Sequence, residues 1–268
     1  MRLLLTNDDG IWAQGLRQLA RALAGTGDVT VVAPERERSA MGHAITMHKP
    51  LRVNPVPDWL PGVEGVRAFT VNGTPSDCVK IGAQALVDRL PDCLLSGINR
   101  GPNLGMDIFY SGTVSAAVEG LLLGIPAIAL SLNVSGTASQ APGPDSYQKA
   151  AAFGRMLCRQ VVERGLPQRV FLNVNVPFGP VQGVRITRVG ARRYHDVLEE
   201  RRDLQGRSYY WLGGELVDAD QDPASDSVAV RQGYISVSPV RFDLSPPELQ
   251  ELLRSWDLRL PSAGDGRA

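Results

Sequence analysis

Short apolar runs alternate with segments of helical periodicity over roughly the first 180 residues of the chain. Arg2 to Thr6 is an apolar run of strand length, and between Gly15 and Leu23 apolar residues recur at helical spacing. The β-branched run DVTVVAP at 28–34 then completes a first β-α-β unit. Further strands are predicted at 51–56, 66–71, 93–96, 127–132 and 170–176. Helices are predicted at 75–87 and 147–164, and another opens at 111–113 and ends at 123. This alternation predicts an α/β fold with a largely parallel sheet.

The pattern changes after about residue 180. Strand-like runs at 184–189, 209–212 and 234–237 are separated by charged or glycine-containing loops. A capping-box pattern, Ser245 with Glu248 and Pro246 at the first helical position, then predicts a last helix. We therefore expect three regions: a core at 1–180, a β-rich and helical C-terminal segment used in oligomerisation at 181–260, and a disordered tail at 261–268.

Composition excludes several classes of protein. The 28 Lys and Arg residues balance 28 Asp and Glu residues without a basic run, which argues against a nucleic-acid polymer or an anionic membrane as partner. The three cysteines are widely spaced and form no C-x-x-C pair, so we expect reduced thiols in a cytoplasmic protein. The most apolar stretch, 121–132, is well short of the roughly 20 residues that cross a bilayer.

Several common catalytic motifs are missing from the sequence. We find no G-x-G-x-x-G after the first strand, no Walker A pattern, no H-E-x-x-H and no G-x-S-x-G. Dinucleotide binding, P-loop hydrolysis, zinc proteolysis and the usual serine hydrolase chemistry are therefore disfavoured.

The sequence NDDG at 7–10 directly follows the first strand. Two adjacent carboxylates at the end of a buried strand repel each other and lose hydration, which favours a cation beside Asp8 and Asp9. A solvated turn with Asx-type hydrogen bonds explains the same four residues equally well. In doubly wound sheets ligands bind at the carboxyl ends of strands, where Ser39 and Asn99 also lie, although each alone fits an ordinary loop. If these oxygens converge, they suit Mg²⁺ or Mn²⁺ better than zinc.

A second candidate is the glycine-rich stretch 96–120, SGINRGPNLGMDIFYSGTVSAAVEG. Its glycines allow a ligand to approach the backbone, and Ser111, Gly112 and Thr113 open a helix whose first amides can bind an anion. A phosphate cradle is one interpretation. An N-cap followed by an alanine-rich helix packed on the sheet is the other, and it is the commoner use of such a pattern.

Together these motifs resemble the SurE family, the survival protein E phosphatases. The matching segments run in order from about residue 1 to 195 and are LLLTNDDG, APERERSAMGHAIT, VNGTPSDCV, LLSGINRGPNLGMDIFYSGTVSAAVEG, FLNVNVP and ITRVGARRY. The resemblance implies a Rossmann-like core with helices on both faces of the sheet. It implies a metal-dependent enzyme that hydrolyses nucleoside monophosphates. Whether 5′- or 3′-monophosphates are preferred stays open, and some members of the family also hydrolyse short polyphosphate. It also implies homodimers or homotetramers that exchange a C-terminal segment.

The family's metal ligands fall on Asp8, Asp9, Ser39 and Asn99, which implies one divalent cation per subunit. We expect metal-assisted phosphomonoester hydrolysis, in which the cation polarises the phosphoryl oxygens and acidifies a bound water. Asp8 and Asp9 are the catalytic candidates, since one of them can accept the proton of that water. The residues expected to hold the phosphate are Asn99, Asn103, Ser111, Gly112 and Thr113.

Two alternatives stay open. Haloacid-dehalogenase phosphatases form an aspartyl phosphate on an Asp after the first strand, but they use D-x-D with a distant Lys, whereas this pair is adjacent. A non-catalytic nucleotide-binding or stress-regulatory protein is the other alternative, since fold alone does not fix function. His43 is the histidine with the best position for catalysis, although a single histidine is more often packed or solvated. From their position, the loops at 54–65 and 134–145 are expected to shape a nucleoside pocket.

Overall fold

The computed structural model describes residues 1–134, 143–191, 193–217, 220–243, 245, 247–256 and 258–260. Most of the predicted pocket loop at 134–145, Pro246 of the capping-box pattern and the predicted tail at 261–268 lie outside these residues.

Strands and helices alternate through the first two thirds of the described chain. The strands are β1 (Arg2–Thr6), β2 (Asp28–Pro34), β3 (Val53–Pro55), β4 (Val66–Val71), β5 (Cys93–Arg100), β6 (Ala127–Asn133), β7 (Val170–Pro177), β8 (Gly183–Ile186), β9 (Arg193–Arg202), β10 (Ser208–Val217) and β11 (Tyr234–Arg241). The helices are α1 (Gln14–Leu23), α2 (Pro75–Ala85), α3 (Gly112–Leu122), α4 (Gln148–Arg164), α5 (Asp226–Arg231) and α6 (Pro247–Arg254), with short 3₁₀ helices at Gly105–Phe109 and Pro144–Tyr147.

The central sheet has the strand order β3-β4-β2-β1-β5-β6-β7-β11-β8. The six neighbouring strands β4, β2, β1, β5, β6 and β7 are parallel. β3 runs antiparallel to β4 at one side, and at the other side β11 runs antiparallel to β7 and parallel to β8. Numbered among themselves, the parallel strands follow the Rossmann order 3-2-1-4-5-6, in which the connections change direction between β1 and β5. The predicted α/β fold class is confirmed.

Alternation along β1 divides the core into two layers. Leu3 and Leu5 pack with residues of α1 and α4 on one face of the sheet, and Leu4 packs with residues of α2 and α3 on the other. All three leucines are buried. Burying one leucine side chain contributes about 1.5 to 3 kcal/mol, so β1 is held firmly from both sides. The strand therefore presents the residues that follow it, NDDG, at a fixed position.

The C-terminal strands divide between two sheets. β8 and β11 extend the central sheet beyond β7, whereas β9 and β10 form a separate antiparallel pair. The predicted division at residue 180 stays a prediction, and it would cut the central sheet because β8 and β11 belong to it. Within the described residues, none of the helices combines the length and the hydropathy that a membrane span requires.

Candidate active site

A cavity of about 600 Å³ opens at the carboxyl ends of β1, β2 and β5. α1 follows β1 onto one face of the sheet and α3 follows β5 onto the other, so the intervening loops diverge and leave an opening. Six predicted site residues line the cavity, namely Asp8, Asp9, Ser39, Asn99, Asn103 and Ser111. Glu37, Ala40, Arg100, Gly101, Pro102, Asp107 and Tyr110 complete the lining.

Asn7 makes the turn that follows β1. Its Oδ1 accepts a hydrogen bond from the Gly10 amide at 3.2 Å, and its Nδ2 donates to the Gly10 carbonyl at 3.0 Å. Gly10 has φ +96°, a conformation that favours glycine. The Asx-type turn considered above is therefore present, but Asn7 provides its hydrogen bonds. The carboxylates of Asp8 and Asp9 remain available for other partners.

Asp8 is 4% exposed and contacts the start of α3. Its Oδ1 accepts from the Thr113 hydroxyl at 2.6 Å, and its Oδ2 accepts from the Thr113 amide at 3.1 Å. Gly112 makes the approach possible, because a Cβ on Gly112 would lie 2.7 Å from the Cβ of Asp8. Ser111 caps the helix by accepting from the Val114 amide at 3.1 Å. Both donors of Thr113 thus serve Asp8, and the predicted role of Gly112 and Thr113 in phosphate binding stays a prediction.

The pKa of Asp9 differs strongly from that of a free aspartate. Burial and the neighbouring charge of Asp8 raise the pKa of Asp9 to about 7, and burial also raises the pKa of Asp8. One hydrogen bond, from the Arg100 amide to Asp9 Oδ2 at 3.1 Å, opposes these effects. When Asp8 and Asp9 are both ionised, few interactions stabilise their two negative charges, which favours a cation beside them.

Asn99 reaches the cavity through an irregularity in β5. The register between β5 and β6 shifts between Gly97 and Asn99, and such a bulge redirects the side chains that follow it. The Asn99 Nδ2 donates to the Gly101 carbonyl at 2.9 Å, which leaves Oδ1 as the amide atom suited to bind a cation. The strand was predicted to end at Ser96, because Gly97 resembles the start of a loop.

Ser39 lies on the polar segment between β2 and β3, where its hydroxyl donates to Glu37 Oε1 at 2.7 Å. The oxygen donors that could hold a metal are thus two carboxylates, one hydroxyl and one amide that line a single cavity. Oxygen donors of these types fit Mg²⁺ or Mn²⁺. Across the described ranges, we find no group of three or more His, Cys, Asp or Glu residues that could hold an ion, so a site at this cavity would need the oxygens of Ser39 and Asn99 beside the two carboxylates.

His43 contacts a buried glutamate instead of lining the cavity. The Nε2 of His43 lies 2.8 Å from Glu119 Oε2, and the Nζ of Lys80 lies 2.7 Å from Glu119 Oε1. Burial of Glu119 works against its charge, but its hydrogen bonds and electrostatic interactions with His43 and Lys80 together outweigh burial and lower the pKa of this carboxyl. Because Glu119 is on α3 and Lys80 on α2, this cluster anchors the Ser39 segment to two helices.

A buried asparagine network, which was not predicted, holds Asn103. The Asn103 amide donates to Asn175 Oδ1 at 2.8 Å, and its carbonyl accepts from the side chains of Asn173 and Asn175, each at 2.9 Å. The Asn103 side chain donates to the Ser131 hydroxyl at 2.8 Å. A signal was available in the sequence FLNVNVP, where two asparagines alternate with apolar residues, since polar groups buried in a strand require partners.

Comparison with known proteins gives one consistent result. A family model described as "Survival protein SurE" matches residues 3–196. A protein named 5′-nucleotidase SurE from Caldanaerobacter subterraneus subsp. tengcongensis is 46% identical over 96% of this chain and 97% of its own length. Another of that name from Geobacter sulfurreducens is 48% identical over 98% of this chain and 97% of its length. The crystal structure of the SurE protein from Aquifex aeolicus superposes with a TM-score of 0.80 at 36% identity, over 95% of this chain and 98% of that chain.

Proposed function

The chain belongs to the SurE family, and on that premise we propose that it is a 5′-nucleotidase, an enzyme that hydrolyses nucleoside monophosphates to nucleoside and phosphate. The observation that carries the chemistry is the pair Asp8 and Asp9, two desolvated carboxylates at the floor of an open cavity. A protein that only binds nucleotides would have no need to keep two neighbouring carboxylates in so unfavourable an environment.

We also propose that the reaction depends on one divalent cation, Mg²⁺ or Mn²⁺, held by Asp8, Asp9, Ser39 and Asn99. When bound, the cation would supply a Lewis acid that polarises the phosphoryl oxygens and acidifies water. The donor types and the poorly compensated charge of the two aspartates support this proposal.

The two aspartates differ in their ability to accept a proton. Asp8 accepts two hydrogen bonds from Thr113, so both of its oxygens are engaged. Asp9 accepts one, from the Arg100 amide, on Oδ2. Asp9 Oδ1 is therefore the atom that we propose takes the proton of the attacking water, and Asp8 is the better anchored ligand.

The phosphate would lie against the loop between β5 and α3. Asn103 and Ser111 face the cavity with polar side chains, and Arg100 provides a guanidinium in a lining that otherwise carries the carboxylates of Asp8, Asp9, Glu37 and Asp107. A guanidinium can bind two phosphate oxygens at once, which would offset the charge of the dianion.

The test is phosphate release from a panel of nucleoside 5′- and 3′-monophosphates and a short polyphosphate, with Mn²⁺, Mg²⁺ or chelator. We expect release from 5′-monophosphates only with metal, and a loss of about 100-fold or more in kcat/KM for Asp8→Asn and Asp9→Asn, as for removal of one preorganised electrostatic group. Asp28→Asn, at the opposite end of β2, should match the wild type. Equal release by the wild type and both variants in chelator would refute the proposal. The 3′ and polyphosphate arms test the wider specificity that the family resemblance implies.

We further propose that the chain forms homodimers or homotetramers through its C-terminal segment. Two apolar surfaces there support this proposal, one on β10 and one on α6. On β10 the exposed residues are Tyr209, Tyr210, Trp211 and Leu212, and on α6 they are Leu249, Leu252 and Leu253.

A further inference from the structure

A fully buried carboxylate from the C-terminal segment contacts the loop between Asn103 and Asp107, two residues that line the cavity. Asp226 begins α5, and its Oδ2 accepts a hydrogen bond from the Gly105 amide at 3.0 Å, across 121 residues of sequence. Its Oδ1 accepts from the Gly190 amide at 3.0 Å and from the Ser227 amide at 2.7 Å. Asp226 lies beyond residues 3–196, the range that the family model covers.

The surroundings of Asp226 show that it is held by backbone amides. Within the described part of the chain, no Lys, Arg or His forms an ion pair with it, so three amides stabilise its carboxylate. A buried carboxylate is costly unless hydrogen bonds satisfy it, and hydrogen bonds to a charged acceptor are stronger than neutral ones. Such a group strongly constrains the backbone segments that donate to it.

The constrained segment is the phosphate-facing loop. Gly105 opens the 3₁₀ helix Gly105–Phe109 and has φ +54°, and Asn103 lies two residues before it. Asn103 is fixed by Asn175 of the central sheet, whereas Gly105 is fixed by Asp226. The loop is thus attached at two points, one in the Rossmann-like core and one in the C-terminal segment.

We propose that Asp226 is a positioning residue that sets the phosphate affinity of the cavity by fixing the 103–105 backbone. The proposal rests on the proposed function of the cavity, and it assigns a role to the C-terminal segment within a single chain. Gly190, whose amide also donates to this carboxylate, lies three residues before β9. One side chain therefore joins the base of the β9–β10 hairpin to the loop that carries the lining residues Asn103 and Asp107.

The substitution Asp226→Asn should remove the hydrogen bond from Gly105 and keep those from Gly190 and Ser227. An asparagine keeps one oxygen, and the two donors at the Oδ1 position, Gly190 and Ser227, favour the oxygen there. Its NH₂ group then faces the Gly105 amide, so donor meets donor and this contact is lost. We expect affinity for inorganic phosphate, measured by calorimetry with Mn²⁺ present, to fall roughly tenfold, and KM for a nucleoside monophosphate to rise similarly. Affinity for Mn²⁺ alone should stay within about twofold, because Asp8, Asp9 and Ser39 lie on other loops, Asn99 lies on β5, and none of them contacts Asp226.

Asp222→Asn is the matched control, since it removes the same charge four residues away, where Asp222 pairs with Arg188. It should leave both affinities unchanged. If Asp226→Asn does not fold, Asp226→Glu replaces it, because the longer carboxylate keeps the charge and displaces the oxygens from the Gly105 amide. Unchanged phosphate affinity in a folded Asp226 variant would overturn the inference, and so would a parallel loss of Mn²⁺ and phosphate affinity. Failure of the proposed function is distinguishable, because it would appear as a wild type that releases no phosphate.

Discussion

At the scale of single residues, the raised pKa values of Asp8 and Asp9 make stability depend on both pH and metal. The pKa of Asp9 is about 7 in the folded chain, against 3.8 for a free aspartate. Between these pH values the folded state retains a proton that the unfolded chain releases, so stability falls as pH rises from about 3.8 to about 7 and levels off above. Asp8, whose pKa is also raised, acts in the same direction.

A cation that binds this pair should therefore stabilise the protein more at pH 8 than at pH 5. At a hundredfold excess over its dissociation constant a ligand adds about 2.7 kcal/mol. For a chain of this size that is a rise of roughly 5 to 10 °C in Tm, and the shift should be much smaller at pH 5. Differential scanning fluorimetry with Mn²⁺ at both pH values measures it, with the double variant Asp8→Asn, Asp9→Asn as control. Equal shifts at both pH values would contradict the link between metal and carboxylate charge.

Sequence reasoning reached the residues whose chemistry is local and missed those that act through tertiary contacts. Asp8 and Asp9 follow an obvious strand, and their type alone favoured a hard cation and an Asx-type turn equally. Thr113 shows where that reasoning stops: its place at a helix start suggested an anion donor, but 105 residues of chain fold so that it donates to Asp8. Asn175 and Asp226 were missed because their partners are backbone amides far away in sequence.

At the scale of elements, the Ser39 segment depends on Glu119 of α3. Glu119 is 2% exposed and joins His43 of that segment to Lys80 of α2. Glu119→Gln would turn one acceptor into a donor that faces a cationic or imidazole partner. We expect the segment to loosen and Mn²⁺ affinity to fall at least about tenfold, the range found when residues behind metal ligands are changed. Isothermal titration with Mn²⁺ measures this affinity.

The control for Glu119→Gln is Glu163→Gln. Glu163 is exposed on α4 and pairs with Arg159 of the same helix, so its loss should leave metal affinity unchanged. If Glu119→Gln folds and binds Mn²⁺ as tightly as the wild type does, the segment is fixed by other contacts. The two hydrogen bonds from Thr46 to Asp77 and the bond from the Gly42 amide to the Tyr110 carbonyl are among those contacts.

Periodicity predicted the elements of the core well and those of the C-terminal region less well. The parallel strands and their helices were found because each is a short apolar run or a clear helical repeat. β9 was missed because RYHDVLEERR is too charged to resemble a strand, and it is stabilised by pairing with β10 along its whole length. The addition of β8 and β11 to the central sheet could not be predicted, since edge pairing is a property of the folded sheet.

At the scale of the whole molecule, the β9–β10 hairpin has apolar residues on both faces. Successive strand residues point to opposite sides, and Tyr209 to Leu212 are all exposed, with Leu212 at 86%. Contiguous exposed apolar surface of this kind usually marks an interface. We expect light scattering after gel filtration to give at least a dimer, and Leu212→Glu to shift the mass towards the monomer.

Leu90→Glu provides the comparison for this experiment. Leu90 is also exposed, but it lies between α2 and β5, away from the hairpin, so the change should leave the mass unaltered. A wild type that is monomeric at micromolar concentration would exclude the hairpin as an oligomer interface. A Leu212→Glu variant with the wild-type mass would move the interface elsewhere.

The long sequence separations within the site impose an order on its assembly during synthesis. Asp8 leaves the ribosome 105 residues before its partner Thr113, and Asp9 leaves it 91 residues before Arg100. At about 5 to 20 residues per second, the aspartates wait roughly 5 to 20 s in water before α3 arrives and closes over them. A cation met in that interval encounters a flexible, hydrated pair of carboxylates, which discriminates poorly among divalent ions. Selection of the proposed cation therefore waits for Asn99 on β5, the last of its four proposed ligands to be translated.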